Sequence, residues 1–223
     1  MLAALMDSKM AEQPILTHVA GREDHRLAWF RSMVRGRTRI ALAWIFVVAL
    51  AISARSYPSW PGIALCFAGA SLRFWASGYL RKDTRPAVGG PYAWMRNPLY
   101  LGTYLMALGT ALAVGAWALL VFCSVAFAMI YHFIILDEEI KLREIFGAPY
   151  LAYCALVPRF FPRLWPGPRG FEQKLAQVNP EPGYRGYDWR LSMRNKAYEA
   201  YASFAGLIGF VVLCAWAWRL VTF

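Results

Sequence analysis

From Leu99 to Leu136 the chain carries no Asp, Glu, Lys or Arg, and Gly115 divides the run into two halves. Each half approaches the roughly 20 apolar residues that a helix needs to cross the hydrocarbon core of a bilayer. A run of this kind restricts the fold to an apolar helical hairpin, in a membrane or, as the alternative, buried in a soluble protein. Its open ends are polar and rich in motifs. GPYAWMRNPLY (residues 90–100) precedes it, and DEEIKLREIFGAPYLAYCALVPRF (137–160) follows it. Two such segments at the same end of an apolar hairpin imply a chemical site at the edge of a membrane.

Composition extends the reading. The chain is 59% hydrophobic and 16% aromatic, above the usual range for a soluble domain. Further apolar runs lie at 61–80, with Arg73 as the one charge, and at 200–221. Residues 40–54 form a short run that Arg39 and Arg55 can extend by snorkelling. The expectation is an all-α integral membrane protein with about five transmembrane helices.

The net charge of +11 raises the question of nucleic acid, and the placement of the charge argues against it. Seven Lys and Arg precede the first expected helix, four lie between helices 2 and 3, and ten lie between helices 4 and 5. The intervening turns carry Arg55 or none. This is the positive-inside alternation. It predicts a cytoplasmic N-terminus and motif face, with the C-terminus on the opposite side. The basic excess then serves topology and attraction to membrane lipids. MLAALM is too short and lacks the basic start of a signal peptide, so the first helix is expected to direct insertion. Cys66, Cys123, Cys154 and Cys214 are scattered without zinc spacing; no metal is expected, and packing is their favoured role.

One membrane domain accounts for the chain. Residues 1–39 form a polar start in which Leu27, Phe30, Met33 and Val34 recur at helical spacing among arginines. That pattern predicts an interfacial amphipathic helix. Residues 40–163 hold helices 1–4 and the motifs, 164–197 a cytoplasmic loop or lid, and 198–223 the last helix. The loop is long and aromatic, with Trp165, Phe171, Tyr184, Tyr187 and Trp189, which suits a lid or binding segment.

At the motifs, Arg96 opens helix 3, and Glu138 and Glu139 close the apolar part of helix 4. Each lies about 20 residues from Gly115, roughly 30 Å at 1.5 Å per residue. Antiparallel helices therefore return them to one depth as neighbours. Such a pair is either an interfacial salt bridge or part of a site. Asn97 stands as an N-cap and Pro98 at the first helical position, and the helix N-terminus offers N–H groups to an anion. Tyr92 and Tyr100 add hydroxyls, while Gly90 and Gly102 permit close backbone approach.

GPYAWMRNPLYLG followed by EEIKLREIFGAPYLAY and VPRF resembles the isoprenylcysteine carboxyl methyltransferase family and its phospholipid-methyltransferase relatives. The matching positions are Gly90, Tyr92, Arg96, Pro98, Tyr100, Gly102, Glu138, Glu139, Leu142, Phe146, Gly147, Tyr150 and Tyr153. They fall within residues 88–162, a third of the chain. The resemblance implies S-adenosylmethionine as methyl donor in a cytoplasmic-side pocket. Arg96 and Glu139 are then expected to be catalytic. Gly90, Tyr92, Arg96, Asn97, Pro98, Tyr100, Gly102, Glu138 and Glu139 are expected to bind the cofactor. The family's His after the Arg is Asn97 here, which does not titrate. Lys82, Asp83 and Thr84 stand where some members place another His.

The acceptor is expected to be lipophilic or amphipathic and to enter from the bilayer. Carboxylate, thiol and amine acceptors all have family precedent. Its candidate contacts are Arg73, His132, Tyr150, Tyr153 and Arg159. Three of these have a plainer reading: snorkelling for Arg73, a hydrogen-bonded bundle-interior side chain for His132, phospholipid contact for Arg159. Two other classes stay open. A membrane sterol-type reductase would need a nicotinamide site, and no GxGxxG occurs. A scaffold or transporter would leave the clustered Gly, Tyr, Arg and Glu unexplained.

Overall fold

The computed structural model describes residues 37–81, 86–163, 170–180 and 186–222. By internal contacts the chain divides between Ile45 and Phe46; of the first unit only residues 37–45, the start of a helix, are described. The expected amphipathic helix around Leu27–Val34, the segment Lys82–Thr84, and Trp165 and Tyr184 lie outside the described residues.

Every regular element among the described residues is helical. In order they are α1 (Arg37–Ser53), α2 (Trp60–Ser77), a 3-10 turn (Gly90–Ala93), α3 (Pro98–Ala113), α4 (Trp117–Phe146), α5 (Ala148–Leu156), α6 (Phe171–Val178), α7 (Trp189–Arg194) and α8 (Tyr198–Thr222). All five expected long helices are present as α1, α2, α3, α4 and α8. Two of them, α4 and α8, are long and apolar enough to cross a bilayer, whereas α3 and the apolar part of α1 are shorter. On α4, Trp117, Val121, Val125 and Met129 form an exposed row, and Leu213, Trp216 and Leu220 form another on α8. Uncovered apolar rows of this kind suit contact with lipid or a partner.

Glycine sets the tightest packing. A Cβ on Gly109 would lie 2.3 Å from the Cys66 backbone nitrogen, and one on Gly69 would lie 2.5 Å from the Gly102 carbonyl oxygen. The antiparallel α2 and α3 therefore meet backbone to backbone, as small residues permit in helix pairs. Helix α8 closes on this pair through Cys66, Ala70, Met106 and Ala200. Its Tyr201 and Phe204 rings pack on Phe67. Gly115, at φ 69°, makes the turn into α4.

Helix α4 has 30 residues, about 45 Å at 1.5 Å rise. It outruns the apolar sequence and carries 137–146 beyond it. Gly147, at φ 61°, and Pro149 then redirect the chain into α5. Residues 164–197 differ from the expected loop: α6 and α7 lie within this span. On α6, Phe171, Leu175 and Val178 are buried while Glu172, Gln173, Lys174 and Gln177 are exposed. That stripe joins Val88, Tyr150, Tyr153 and Val157 in a small core above the hairpin. Asn195 Nδ2 donates to the Ser77 carbonyl at 2.9 Å and the Leu80 carbonyl at 2.7 Å, satisfying one oxygen at the end of α2 and one just past it. The segment is thus anchored at both ends.

Candidate active site

The site grows from the polar end of the α3–α4 hairpin. Glu139 lies on α4 and is 2% exposed. Arg96 Nη1 stands 2.9 Å from its Oε1. Arg159 forks onto it, Nε to Oε1 at 2.9 Å and Nη2 to Oε2 at 3.0 Å. Arg143, one turn further along α4, approaches Oε2 at 3.8 Å. The sequence geometry that brought Arg96 to the acidic pair therefore holds, with Glu139 as the hub. Arg96 is more deeply set than an interfacial residue, with its side chain 10% exposed. The paired hydrogen bonds with Glu139 are also the main cause that raises the Arg159 pKa.

Glu138 takes a separate role. It is exposed and accepts a hydrogen bond from the Tyr100 hydroxyl at 2.7 Å. Tyr100 also packs edge-on to Tyr131. Below them Tyr131 stacks on Phe127, and Phe127 meets Tyr104 and Phe160. A carboxylate, a phenol and an aromatic wall thus flank the guanidinium cluster.

Four hydrogen bonds strap the segment that leads into α3 to the chain after α4. Tyr153 donates its hydroxyl to the Tyr92 carbonyl at 2.8 Å. The Arg96 amide donates to the Pro158 carbonyl and the Arg163 amide to the Trp94 carbonyl. Asn97 Nδ2 donates to the Arg159 carbonyl at 2.8 Å. Asn97 does occupy the N-cap position, with Pro98 next, but its side chain makes no capping bond. The amide is committed to the strap instead, and this corrects the expected cap. Burial first, then the Glu138 carboxylate, pushes the Tyr92 phenol well above its usual pKa. Burial does the same for Tyr150 and Tyr153.

The remaining expected residues divide. Gly90 adopts φ 54° and presses on the Tyr79 ring, shaping the turn. Gly102 faces Gly69 and Arg73 of α2, so its small size serves helix packing. Arg73 donates to Thr103 and to the Leu99 carbonyl, bonds that tie α2 to α3. Tyr150 and Tyr153 belong to the small core. His132 is exposed, on the side of α4 that carries Val125 and Met129. It is neither a bundle-interior side chain nor beside Glu139: seven residues keep it on the same face of α4, but about 10 Å away along the axis, where that face is uncovered. Cys154, for which packing was the favoured of two roles, accepts a hydrogen bond from Arg96 Nη1 at 2.8 Å. Arg163 was not anticipated. Its sequence signal is the second arginine of VPRFFPR, four residues beyond Arg159.

Residues 68–149 match the family described as phospholipid methyltransferase. The cobalt-zinc-cadmium resistance protein CzcN of Cupriavidus metallidurans is 29% identical over 135 residues, 60% of this chain and 58% of that protein. The nickel-cobalt-cadmium resistance protein NccN of Alcaligenes xylosoxydans xylosoxydans is 27% identical over 135 residues, 60% of this chain and 59% of that protein. The protein-S-isoprenylcysteine O-methyltransferase of Schizosaccharomyces pombe is 30% identical over 99 residues, 44% of this chain and 42% of that enzyme. The matched region thus spans less than two thirds of each relative. No solved structure matches the chain.

Proposed function

We propose, from the premise that residues 68–149 belong to the phospholipid methyltransferase family, that this membrane protein transfers a methyl group from S-adenosylmethionine to a lipophilic or amphipathic acceptor. The observation that carries the reading is the buried Glu139 carboxylate holding Arg96 and Arg159 at the open end of the α3–α4 hairpin.

The residues present suit such a cofactor. Its carboxylate calls for a guanidinium, and Arg96 has a buried Nε with no partner among the described residues. Its ammonium and ribose hydroxyls suit the exposed Glu138 with Tyr100. Its adenine suits aromatic walls such as Tyr131 and Phe127. When bound, the sulfonium supplies an electrophilic methyl group and needs no metal. The protein's part is then to hold donor and acceptor in line and to exclude water. Glu139 has both oxygens engaged by guanidinium groups, so it acts as a positioning residue that fixes Arg96.

Asn97 neither titrates nor is idle, since it braces the Arg159 carbonyl. An acceptor already ionised near neutral pH, such as a carboxylate or an acidic thiol, suits a site without a base at that position. Such an acceptor reaches the site from the bilayer in this reading. The proposed topology is five membrane helices, with the N-terminus and site in the cytoplasm and the C-terminus outside. In intact cells a thiol reagent should label a cysteine placed at Ser59 and leave one at Gly170 untouched; the reverse would move the site to the other side.

Purified protein in detergent should bind S-adenosylmethionine and not NADPH by calorimetry. NADPH binding without S-adenosylmethionine binding would replace the methyltransferase with a reductase, and binding of neither would favour a scaffold. Arg96→Lys should keep the fold and weaken cofactor binding or turnover at least tenfold, because an ammonium lacks the planar fork. Normal binding and turnover by that variant would make Arg96 structural.

A further inference from the structure

A cavity of about 420 Å³ lies beside the guanidinium cluster, lined by Arg96, Cys154, Leu156, Phe161, Pro162 and Arg163 among others. Its volume falls within the roughly 300–1,000 Å³ of small-molecule sites. Two guanidinium groups line it and no carboxylate does. Arg96 shares Glu139 with Arg159 and Arg143, so one negative charge already faces three positive ones. Arg163 makes no ion pair with a carboxylate among the described residues.

The second arginine is held in place. Arg163 Nη2 donates to the Leu156 carbonyl at 2.6 Å, its amide donates to Trp94, and its guanidinium sits 5.0 Å from the Phe171 ring centre. These contacts leave Arg163 Nη1 buried and without a partner among the described residues, and Arg96 Nε is in the same condition; both atoms lie behind the cavity wall, so a ligand engages them by turning the guanidinium groups toward the cavity. An unsatisfied buried donor costs about 1–3 kcal/mol, more when charged. A carboxylate is the group that a guanidinium satisfies best, through paired charge-assisted bonds. Apart from Cys154, the other lining side chains are apolar.

We infer that this cavity is a carboxylate subsite in which Arg163 binds the anion together with Arg96. The inference deepens the methyltransferase reading and rests on it for the two carboxylates available, that of the methionine part of the cofactor and that of an acidic acceptor.

Calorimetry on the full chain in detergent separates these sources. The probes are S-adenosylmethionine against its decarboxylated analogue, and N-acetyl-S-farnesylcysteine against its carboxamide. Lost charge-assisted hydrogen bonds correspond to a change of about tenfold or more. If the cofactor supplies the anion, wild type prefers S-adenosylmethionine to the decarboxylated form by that factor, and Arg163→Gln abolishes the preference. If the acceptor supplies it, Arg163→Gln binds both adenosyl compounds as wild type does. It then loses affinity for the farnesyl carboxylate and keeps that for the carboxamide. Unchanged preferences on both pairs, in a variant that melts like wild type, overturn the subsite. Should Arg163→Gln not fold, Arg163→Lys retains the charge without the paired donors, and an unchanged preference there overturns it equally. If wild type binds no S-adenosylmethionine, the methyltransferase reading fails, while the farnesyl pair still tests the subsite.

Discussion

The α2–α3 pair and the polar roof above it are joined in opposite ways. Within the pair, glycine brings backbone onto backbone, at Gly62 against Ala113, Gly109 against Cys66 and Gly69 against Gly102. Shape and dispersion hold it, and directional bonds such as those of Arg73 are few. In the roof, a buried carboxylate gathers three arginines, and hydrogen bonds to main-chain carbonyls strap the segment before α3 to the segment after α4. In the proposed membrane placement, association in hydrocarbon gains nothing from hiding apolar surface, so fit must supply it. Near water, directional polar bonds can be formed and satisfied. Both regions fix one thing, the position of Arg96. The pair sets where α3 begins, and the roof sets where the guanidinium points.

The comparison breaks most visibly at its tightest contact. Gly109→Leu places a branched side chain where even a Cβ meets the Cys66 backbone. Overpacking usually costs about 1–3 kcal/mol; here backbone must move, so the expected outcome is loss of folded protein in detergent, read by size-exclusion profile. A well-folded variant would show that the pair can separate without harm to the roof.

Removing the hub should stop short of the outright loss of fold expected at Gly109 but still cost much. Glu139→Gln leaves Arg96 buried beside a neutral amide, and breaking a buried pair costs about 3–5 kcal/mol. Thermal unfolding should show a large drop, with cofactor binding lost. If stability holds and only binding falls, the carboxylate contacts the ligand rather than positioning Arg96.

A single strap contributes less. Tyr153→Phe leaves the buried Tyr92 carbonyl without its 2.8 Å donor, an expected loss of about 1–3 kcal/mol. The raised phenol pKa values give this region an alkaline signature. A tyrosine whose folded pKa lies above the unfolded value of about 10 contributes stability that is full below pH ~10 and declines as pH rises above it, because only the unfolded chain releases the proton there. Melting temperature should therefore fall above pH ~10, and less steeply in Tyr150→Phe. An equal slope in that variant would place the alkaline sensitivity elsewhere.

The smallest effect is expected at Asn97. Asn97→His can still donate to the Arg159 carbonyl, so its pH–rate profile should show no new ionisation near pH ~6.5, the ordinary histidine value. A new catalytic ionisation there with higher activity would mean that the site accepts a base.

The five long helices, the turn at Gly115 and the meeting of Arg96 with the acidic pair were legible in the sequence. All follow from local rules: apolar run length, glycine and proline punctuation, and a fixed rise per residue that returns equal helices to equal depth. The motif order carried the resemblance to the phospholipid methyltransferase family in the same way, since it needs only spacing. Which carboxylate is the hub was not legible, because Glu138 and Glu139 are neighbours in sequence, and only packing decides which faces inward. His132 shows the same limit, as helical spacing relates it to Glu139 without saying which face is covered. Arg159 and Arg163 reach the site after α4 has turned at Gly147 and the chain in and after α5 has been strapped to the segment before α3. That return path depends on α6 docking into the small core around Val88 and Tyr153. Sequence fixes such elements one at a time; the side chains that share a carboxylate or line a cavity are chosen by how those elements pack, through contacts between residues dozens of positions apart.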